Sequence, residues 1–381
     1  MKKYLKFMQD IYMSCCRVLF GHARRKIVFS SFSGKTYSDN PKAISEAIHK
    51  IEPGISIYWI FDSYKSNVPS YIHQVKKNSL LEYLFTLATA TVYVDNMRFS
   101  SIKKGKNQLF IQTWHGDRAF KKVLCDSPFS TGSNIQEAIP GYCDLAIAGS
   151  DYGERKYRSA FRYNGEVLKV GTPRDDVLVE RSLLRIHEIK KQLSVEIDTR
   201  VLLYAPTLRR ENQKDGTVQK IQEIDIEKTL NALEHKYNCK WVCLMRAHPS
   251  IQNLGGYAKS NRILDVAKYE DMADLLLISD MLITDYSSSA GDFALLDRPI
   301  VLFQSDVNEY IEKDRSFYFD MNDSPYYIAH CQAELEALIS DFEDERIKNN
   351  CKDILAFYGT NETGHSAEAV ARRIVDFCKK G

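Results

Sequence analysis

Several motifs that identify common nucleotide enzymes are missing from this sequence of 381 residues. It contains no Gly-x-x-x-x-Gly-Lys-Ser/Thr phosphate loop and no Gly-x-Gly-x-x-Gly fingerprint, which disfavours an ordinary ATPase or dehydrogenase. It also lacks an Asp-x-Asp triplet, the metal-binding motif of many single-domain glycosyltransferases. No Gly-x-Ser-x-Gly elbow surrounds any serine, so Ser287 and His115 are not expected to form a hydrolase pair.

An excess of charge of either sign is also absent. The chain has 52 lysines and arginines against 50 acidic residues, which leaves a net charge of +2. Binding of nucleic acid through bulk electrostatics needs a strongly basic surface. We therefore expect no nucleic-acid partner, and any anionic ligand must be held by a local site.

The nine cysteines include no Cys-x-x-Cys pair. A chain of this length does not need disulfides to be stable, so reduced thiols and a cytoplasmic location are expected. Cys239 and Cys243 would share one face of a strand, and we interpret them as buried structural residues rather than zinc ligands. No metal site and no required cofactor are predicted, and a dependence on divalent metal stays open.

Long apolar runs are missing as well, including at the N-terminus. Residues 1–22 carry apolar side chains at helical spacing, but Lys6, Asp10 and Arg17 interrupt them. The segment is too short and too charged to span a bilayer, and it lacks a signal-peptide cleavage site. It is predicted to be an amphipathic helix, either packed on the first domain or lying peripherally on the inner face of the cell membrane.

What the sequence does contain is enough apolar material for two cores. Hydrophobic residues make up 44% of a chain that exceeds the roughly 250–300 residues at which single cores stop growing. Short apolar runs alternate with amphipathic stretches in two series separated by a charged region at 180–198. The first series lies at 26–32, 55–61, 90–96, 109–116 and 144–150, and the second at 201–209, 240–249, 262–267, 275–285 and 299–303.

This alternation is typical of parallel sheets whose strands are buried on both faces. The start of the first intervening helix is marked by Asp39, Asn40 and Pro41. We therefore predict an α/β protein with two Rossmann-like domains facing a cleft, and ligands near the carboxyl ends of the strands. The predicted parts are an N-terminal helix (1–22), a first domain (23–190), a second domain (191–362) and a C-terminal helix crossing back to the first domain (363–381).

The first candidate site is the end of the strand predicted at 109–116, which closes with His115 and Gly116. A histidine at a strand end points into the ligand crevice, and its ordinary pKa of about 6.5 suits a base. Gly116 permits a tight turn. The segment that follows carries Arg118, Lys121 and Lys122 and is expected to be helix-like, with its backbone amides and the two lysines available to hold a phosphate. The alternative is a histidine bonded within its own loop.

The second candidate is the pair Arg246 and His248, which stand two residues apart at a strand end and so share a face. Pro249 keeps His248 extended. Two donors on one side suit a pyrophosphate, because charge-assisted hydrogen bonds are the stronger class. A turn with exposed charges is the alternative.

The third candidate follows a buried strand that ends at Thr284 and Asp285. Three consecutive serines, Ser287, Ser288 and Ser289, precede a predicted helix. Their hydroxyls and the first helical amides would face an anion at the positive end of the helix dipole. A simple serine N-cap explains the same pattern and stays open at this stage.

Taken in order, these motifs resemble the CDP-glycerol glycerophosphotransferase family, whose enzymes prime and polymerise teichoic acids and related capsule polymers. The resemblance covers most of the chain from about Lys26. Six blocks carry it: SSFSGKTYSDNPKAI (30–44), QTWHG (112–116), VGTPRDDVL (170–178), YAPTLR (204–209), RAHP (246–249) and ITDYSSSAGDFALLDRPIVLF (283–303).

The resemblance implies a glycosyltransferase-B architecture, with acceptor chemistry on the first domain and the nucleotide on the second. It implies that His115 deprotonates an acceptor hydroxyl, which attacks the phosphorus bearing glycerol or another alditol, and that CMP leaves. His248, Ser287 and Ser288 would stabilise the pyrophosphate, together with an arginine of the C-terminal helix, for which Arg373 is chosen and Arg372 is the alternative.

The implied partners are a CDP-alditol donor and a polymer or lipid-linked acceptor of the cell surface. The chain departs from the family pattern where Asp117 and Arg118 replace a small or proline-containing segment after Gly116, which leaves details of donor and acceptor open. Two other functions are compatible with the same fold: a sugar-nucleotide glycosyltransferase and a sugar-nucleotide epimerase.

Overall fold

The computed structural model describes residues 2–21, 23–97, 104–128, 143–207, 224–246, 260–313 and 316–380. These residues form two compact units. The described parts of the first unit lie in 1–117, 143–176 and 361–380, and those of the second in 118–128 and 177–360. The chain thus leaves the first unit after Asp117, is back in it at residue 143, leaves it again after Asp176 and returns at Asn361.

The described part of the first unit contains a sheet of seven parallel strands. The strands are β1 (Ala23–Ser30), β2 (Ser56–Phe61), β3 (Ile72–Lys76), β4 (Ala90–Asp95), β5 (Leu109–Gln112), β6 (Leu145–Ala148) and β7 (Glu166–Lys169). Their order is β3-β2-β1-β4-β5-β6-β7, and Val28 of β1 pairs with Tyr58 on one side and Tyr93 on the other. The strand order reverses between β1 and β4, which is where doubly wound sheets bind ligands.

Helices cover this sheet. The helices described up to Ser159 are α1 (Lys2–Phe20), α2 (Asp39–Ile51), α3 (Leu80–Thr89) and α4 (Asp151–Ser159). The predicted start of α2 is confirmed, with Pro41 in its first turn. Gly34, in the turn before α2, has φ +91°, and a Cβ there would lie 3.2 Å from the Ile60 carbonyl oxygen, so the position requires glycine.

The second unit repeats the same winding in its described residues with six parallel strands. They are β8 (Arg200–Ala205), β9 (Trp241–Met245), β10 (Ile263–Asp265), β11 (Met281–Thr284), β12 (Ile300–Phe303) and β13 (Tyr327–Ala329). The order is β10-β9-β8-β11-β12-β13, so the reversal falls between β8 and β11. The prediction of two Rossmann-like parallel-sheet domains is confirmed.

The helices described between Asp176 and Tyr358 are α5 (Asp176–Glu180), α6 (Leu183–Gln192), α7 (Ile226–Tyr237), α8 (Met272–Ile278), α9 (Ser289–Phe293), α10 (Val307–Lys313), α11 (Gln332–Asp341) and α12 (Asp344–Tyr358). The single strand predicted at 275–285 is wrong in its first half, which forms most of α8. That helix is buried from Ala273 to Ile278 and therefore lacks the polar face that marks a helix in sequence.

The last helix, α13 (Ser366–Lys380), belongs to the first unit. Its apolar face lies in the core of that unit through Val370, Ile374 and Val375. The backbone N–H groups of Ser366 and Ala367 donate to the Asp176 carboxylate at 2.9 and 2.7 Å, which satisfies the first amides of the helix.

The N-terminal helix α1 packs on α3, with Met13 and Cys16 buried in the same cluster as Leu84 and Leu87. Across the ranges given above, no helix combines the length and the apolarity that crossing a bilayer requires.

Candidate active site

His115 lies just beyond the carboxyl end of β5, where its imidazole is half-buried. Its Nδ1 is 2.7 Å from the carbonyl oxygen of Asn96, the residue after β4. A carbonyl can only accept a hydrogen bond, so Nδ1 carries the proton and Nε2 is the accepting nitrogen of the neutral ring. The arrangement provides the tautomer that a general base needs.

The turn after β1 completes the surroundings of this ring. The Asn96 side-chain oxygen accepts from the Phe32 backbone N–H at 2.8 Å, and its amide nitrogen donates to the Ser31 hydroxyl at 3.2 Å. The Phe32 ring then meets the imidazole edge-on, with centroids 5.5 Å apart. The ends of β1, β4 and β5 therefore meet at His115, at the reversal of the strand order.

The backbone that follows His115 is held by hydrogen bonds from α4 and from the residues after β6. The Gly116 carbonyl accepts from the Lys156 ammonium at 3.2 Å, and Lys156 is buried. The Asp117 carboxylate accepts from the Gly149 N–H at 3.1 Å and from the Ser150 hydroxyl. Residues 113–117, which we call the histidine loop, are thus tied to the end of β6 and the start of α4.

The helix-like segment predicted after Gly116 is wrong, because residues 117 and 118 form a turn and Lys121 enters an antiparallel bridge with Phe317. Lys121 and Lys122 lie in the second unit, and the Lys122 N–H donates to the Ser316 carbonyl. Arg118 is fully buried there, so its guanidinium does not face solvent.

Arg118 instead bonds to Asp292 of α9. Its Nε and Nη2 donate to one carboxylate oxygen at 3.2 and 2.8 Å, and both side chains are almost completely buried. A Cβ on the neighbouring Gly291 would lie 2.7 Å from the Arg118 Cβ, so glycine makes room for the arginine. The short helix that follows the three serines is therefore anchored by a buried ion pair.

Thr284 and Asp285 both lie inside the second unit. The Thr284 hydroxyl donates to the Ala205 carbonyl at 2.6 Å, across the β8–β11 pair. The Asp285 carboxylate accepts from the Thr207 N–H at 2.9 Å and from the Tyr286 N–H at 2.5 Å. Their side chains link the end of β8 to the end of β11, next to the three serines.

The three serines differ in their exposure to solvent. Ser287 and Ser288 are half-buried, whereas Ser289 is buried and donates from its hydroxyl to the Ser287 hydroxyl at 2.9 Å. Ser288 stands at the N-cap of α9 and makes no side-chain capping bond. We call residues 285–289 the serine loop.

Arg246 follows β9, and its Nη1 donates to the Tyr269 carbonyl at 2.8 Å. Burial lowers the pKa of this guanidinium. His248, its predicted companion, and Pro249 lie outside the described residues.

The arginines of α13 form exposed ion pairs on the first unit. Arg373 lies 3.3 Å from Glu166, and Arg372 lies 2.6 Å from Glu368 one turn earlier in the same helix. Among the residues with described positions, no three His, Cys, Asp or Glu side chains cluster closely enough to hold a metal ion.

Sequence reasoning missed two side-chain anchors of the site. Asn96 directly follows β4, so the strand-end argument that selected His115 would also have selected it. Lys156 lies within α4, where no local signal distinguishes it from a solvated lysine.

Comparison with known families decides the relationship. The sequence matches the family described as CDP-Glycerol:Poly(glycerophosphate) glycerophosphotransferase over residues 12–376. The chain belongs to this family.

Among relatives, the teichoic acid poly(glycerol phosphate) polymerase of Staphylococcus epidermidis is 36% identical over 319 residues, covering 79% of this chain and 43% of the polymerase. The chain therefore spans less than half the length of that relative. The teichoic acid ribitol-phosphate primase of Bacillus spizizenii is 28% identical over 380 residues, covering 93% of this chain and 92% of the primase.

The fold is similar to that of the wall teichoic acid polymerase TagF. A structure of a TagF variant soaked with CDPG has a TM-score of 0.84 and 29% identity, and the match covers 100% of this chain and 96% of that chain. The family and the fold are thus shown together.

Proposed function

We propose that this protein transfers an alditol phosphate from a CDP-alditol to a hydroxyl group of a cell-surface polymer or of its lipid-linked precursor, releasing CMP. Family membership and the relatives named above support the reaction class. The observation that carries the proposal is the bond between His115 Nδ1 and the Asn96 carbonyl, because it makes Nε2 the proton acceptor.

In the proposed reaction, His115 Nε2 takes the proton of the acceptor hydroxyl. The oxygen then attacks the phosphorus that bears the alditol, and the bond from that phosphorus to the CMP oxygen breaks with its electron pair. Nδ1 donates to Asn96 in both the neutral and the protonated ring, so the bond persists throughout the cycle.

We assign the donor to the second unit. The half-buried hydroxyls of Ser287 and Ser288 are proposed to donate to the pyrophosphate, with Arg246 and His248 adding positive charge. Ser289, Thr284 and Asp285 support that loop from inside. Lys121, Lys122 and Gly116 are retained as proposed acceptor or phosphate contacts, and Arg373 would have to leave its ion pair with Glu166 to reach a phosphate.

The reaction is tested by following nucleotide release. We expect CMP from CDP-glycerol or CDP-ribitol with a lipid-linked acceptor, and the faster donor identifies the alditol. Release of UDP or GDP from a sugar nucleotide, with no CMP from either CDP-alditol, would instead indicate a glycosyltransferase. Conversion of a sugar nucleotide without any acceptor would indicate an epimerase.

We also propose that α1 holds the protein on an anionic membrane surface. One face of α1 packs on α3, and another exposes large apolar side chains, namely Tyr4, Phe7, Met8, Ile11, Val18 and Leu19. Exposed apolar side chains beside lysines are typical of helices that lie in the membrane interface.

The membrane proposal is tested by sedimentation with phosphatidylglycerol vesicles. Replacing Phe7 and Ile11 by Asp is expected to weaken binding, because charge would enter the apolar layer. Ile197→Asp is the matched control, since Ile197 is an exposed apolar residue of the second unit. Equal binding of the double variant and this control would contradict the proposal.

A further inference from the structure

Trp114, the residue directly before His115, has a left-handed backbone with φ +52°. Bulky residues adopt this region rarely, at a cost of about 1–3 kcal/mol, and keep it only where the surroundings impose it. The orientation of this residue sets the direction in which the His115 ring leaves the backbone. Whatever holds Trp114 in place therefore also fixes His115.

Two buried carboxamides hold the two peptide groups of Trp114. The Gln112 side-chain oxygen accepts from the Trp114 N–H at 2.8 Å. The Asn40 side-chain nitrogen donates to the Trp114 carbonyl at 3.0 Å. Asn40 and Gln112 are each only 1% exposed, so water does not compete for these bonds.

The other end of the Asn40 amide is also engaged. Its oxygen accepts from the Arg174 backbone N–H at 3.0 Å, in the turn Pro173–Asp175. The Arg174 guanidinium in turn bonds to Asp39 at 3.1 Å. Because one partner can only accept and the other can only donate, the orientation of the Asn40 amide is determined.

We propose that Asn40 is a positioning residue that holds the histidine loop in the conformation needed for proton transfer. Its one side chain connects the start of α2, the turn at Arg174 and the carbonyl of Trp114. This inference rests on the proposed function only for its kinetic consequence, because the anchoring of the loop is measurable without turnover.

The decisive variant is Asn40→Asp, which keeps the size of the side chain and the acceptor for Arg174. It replaces the donor to Trp114 by a carboxylate oxygen that repels the carbonyl. Asn361→Asp is the matched control in the same unit, since Asn361 donates to the Lys169 carbonyl at 3.1 Å in an exposed position.

The kinetic arm compares kcat with the KM for CDP-alditol. Misplacing a reacting group by about 1 Å can cost on the order of 10²-fold in rate. We expect Asn40→Asp to lower kcat by a factor of this order, with the KM for the donor unchanged. A variant that only lost stability would retain its kcat per folded molecule.

The second arm uses intrinsic fluorescence and needs no substrate. The protein has three tryptophans, of which Trp59 and Trp241 are buried and Trp114 is half-buried. Quenching by iodide therefore reports mainly on the histidine loop. We expect stronger quenching in Asn40→Asp than in the wild type or in Asn361→Asp.

Stronger quenching together with lower kcat supports the inference. Unchanged quenching overturns the anchoring, and stronger quenching with unchanged kcat overturns the positioning role. If the wild type releases no CMP, the proposed function fails, while the quenching arm still decides whether Asn40 anchors the loop. Asn40→Ser replaces Asn40→Asp in both arms if the latter does not fold, because serine suits a helix start but is too short to reach Trp114.

Discussion

The histidine loop of the first unit and the serine loop of the second each follow the carboxyl end of a parallel strand, β5 and β11, but they are held differently. The His115 ring is bonded to a backbone carbonyl, and the strained residue before it is held by two carboxamides. The serine loop leads into a helix fixed by the buried ion pair of Arg118 and Asp292.

This difference follows from what each loop is proposed to do. A base changes its charge during each cycle, and a carbonyl accepts a hydrogen bond from the ring in either state. A phosphate-binding loop keeps its charge state, so a permanently ionised pair can hold it in a fixed position. We therefore expect the stability of the second unit to be most sensitive to loss of its buried ion pair. The stability of the first unit is expected to be most sensitive to pH.

The largest expected effect on stability comes from Arg118→Ala. It leaves the Asp292 carboxylate buried without its arginine, and breaking a buried pair in this way costs about 3–5 kcal/mol. Urea denaturation measures the change in the free energy of unfolding. Arg372→Ala is the control, because its pair with Glu368 is exposed and exposed pairs contribute little to stability. Equal losses in the two variants would contradict the account.

A smaller loss is expected from Gly291→Ala, because the new methyl group meets the Arg118 side chain. Overpacking of this kind costs about 1–3 kcal/mol. Repeating Gly291→Ala in an Arg118→Gly background tests the cause, since removing the opposing Cβ should abolish most of the effect. Additive losses would show that the contact is not responsible.

A pH dependence of stability is expected in the first unit. Burial raises the pKa of the Asp95 carboxyl to about 7, from an ordinary value near 3.8. Between these values the folded state binds more protons than the unfolded state, so the contribution of Asp95 to stability is lost as pH rises from about 4 to about 7. Asp95→Asn should flatten this part of the stability profile. An unchanged slope in denaturation experiments would contradict the assignment.

The architecture could be predicted from the sequence because buried parallel strands leave continuous apolar runs. The strands missed were β3, β7 and β13, which lie at or near the edges of their sheets. Edge strands are partly exposed, as in Glu166–Lys169, and their mixed composition does not stand out from a loop.

Candidate sites followed from strand ends, which is why His115 and the serines could be selected. The partners of these residues could not, since Asn40 and Trp114 are 74 residues apart in the chain. From the sequence Arg118 is only assigned to a helix-like segment beside the two lysines, because its charge is visible in sequence and its burial against Asp292 is not.

The most direct test of the central claim is His115→Ala, measured for CDP-alditol binding by calorimetry and for CMP release in the presence of acceptor. The account predicts unchanged donor affinity and a rate lower by about 10²–10⁴-fold, the usual contribution of a general base. A large loss of CDP-alditol affinity, together with a normal rate of CMP release once the CDP-alditol is bound, would contradict it.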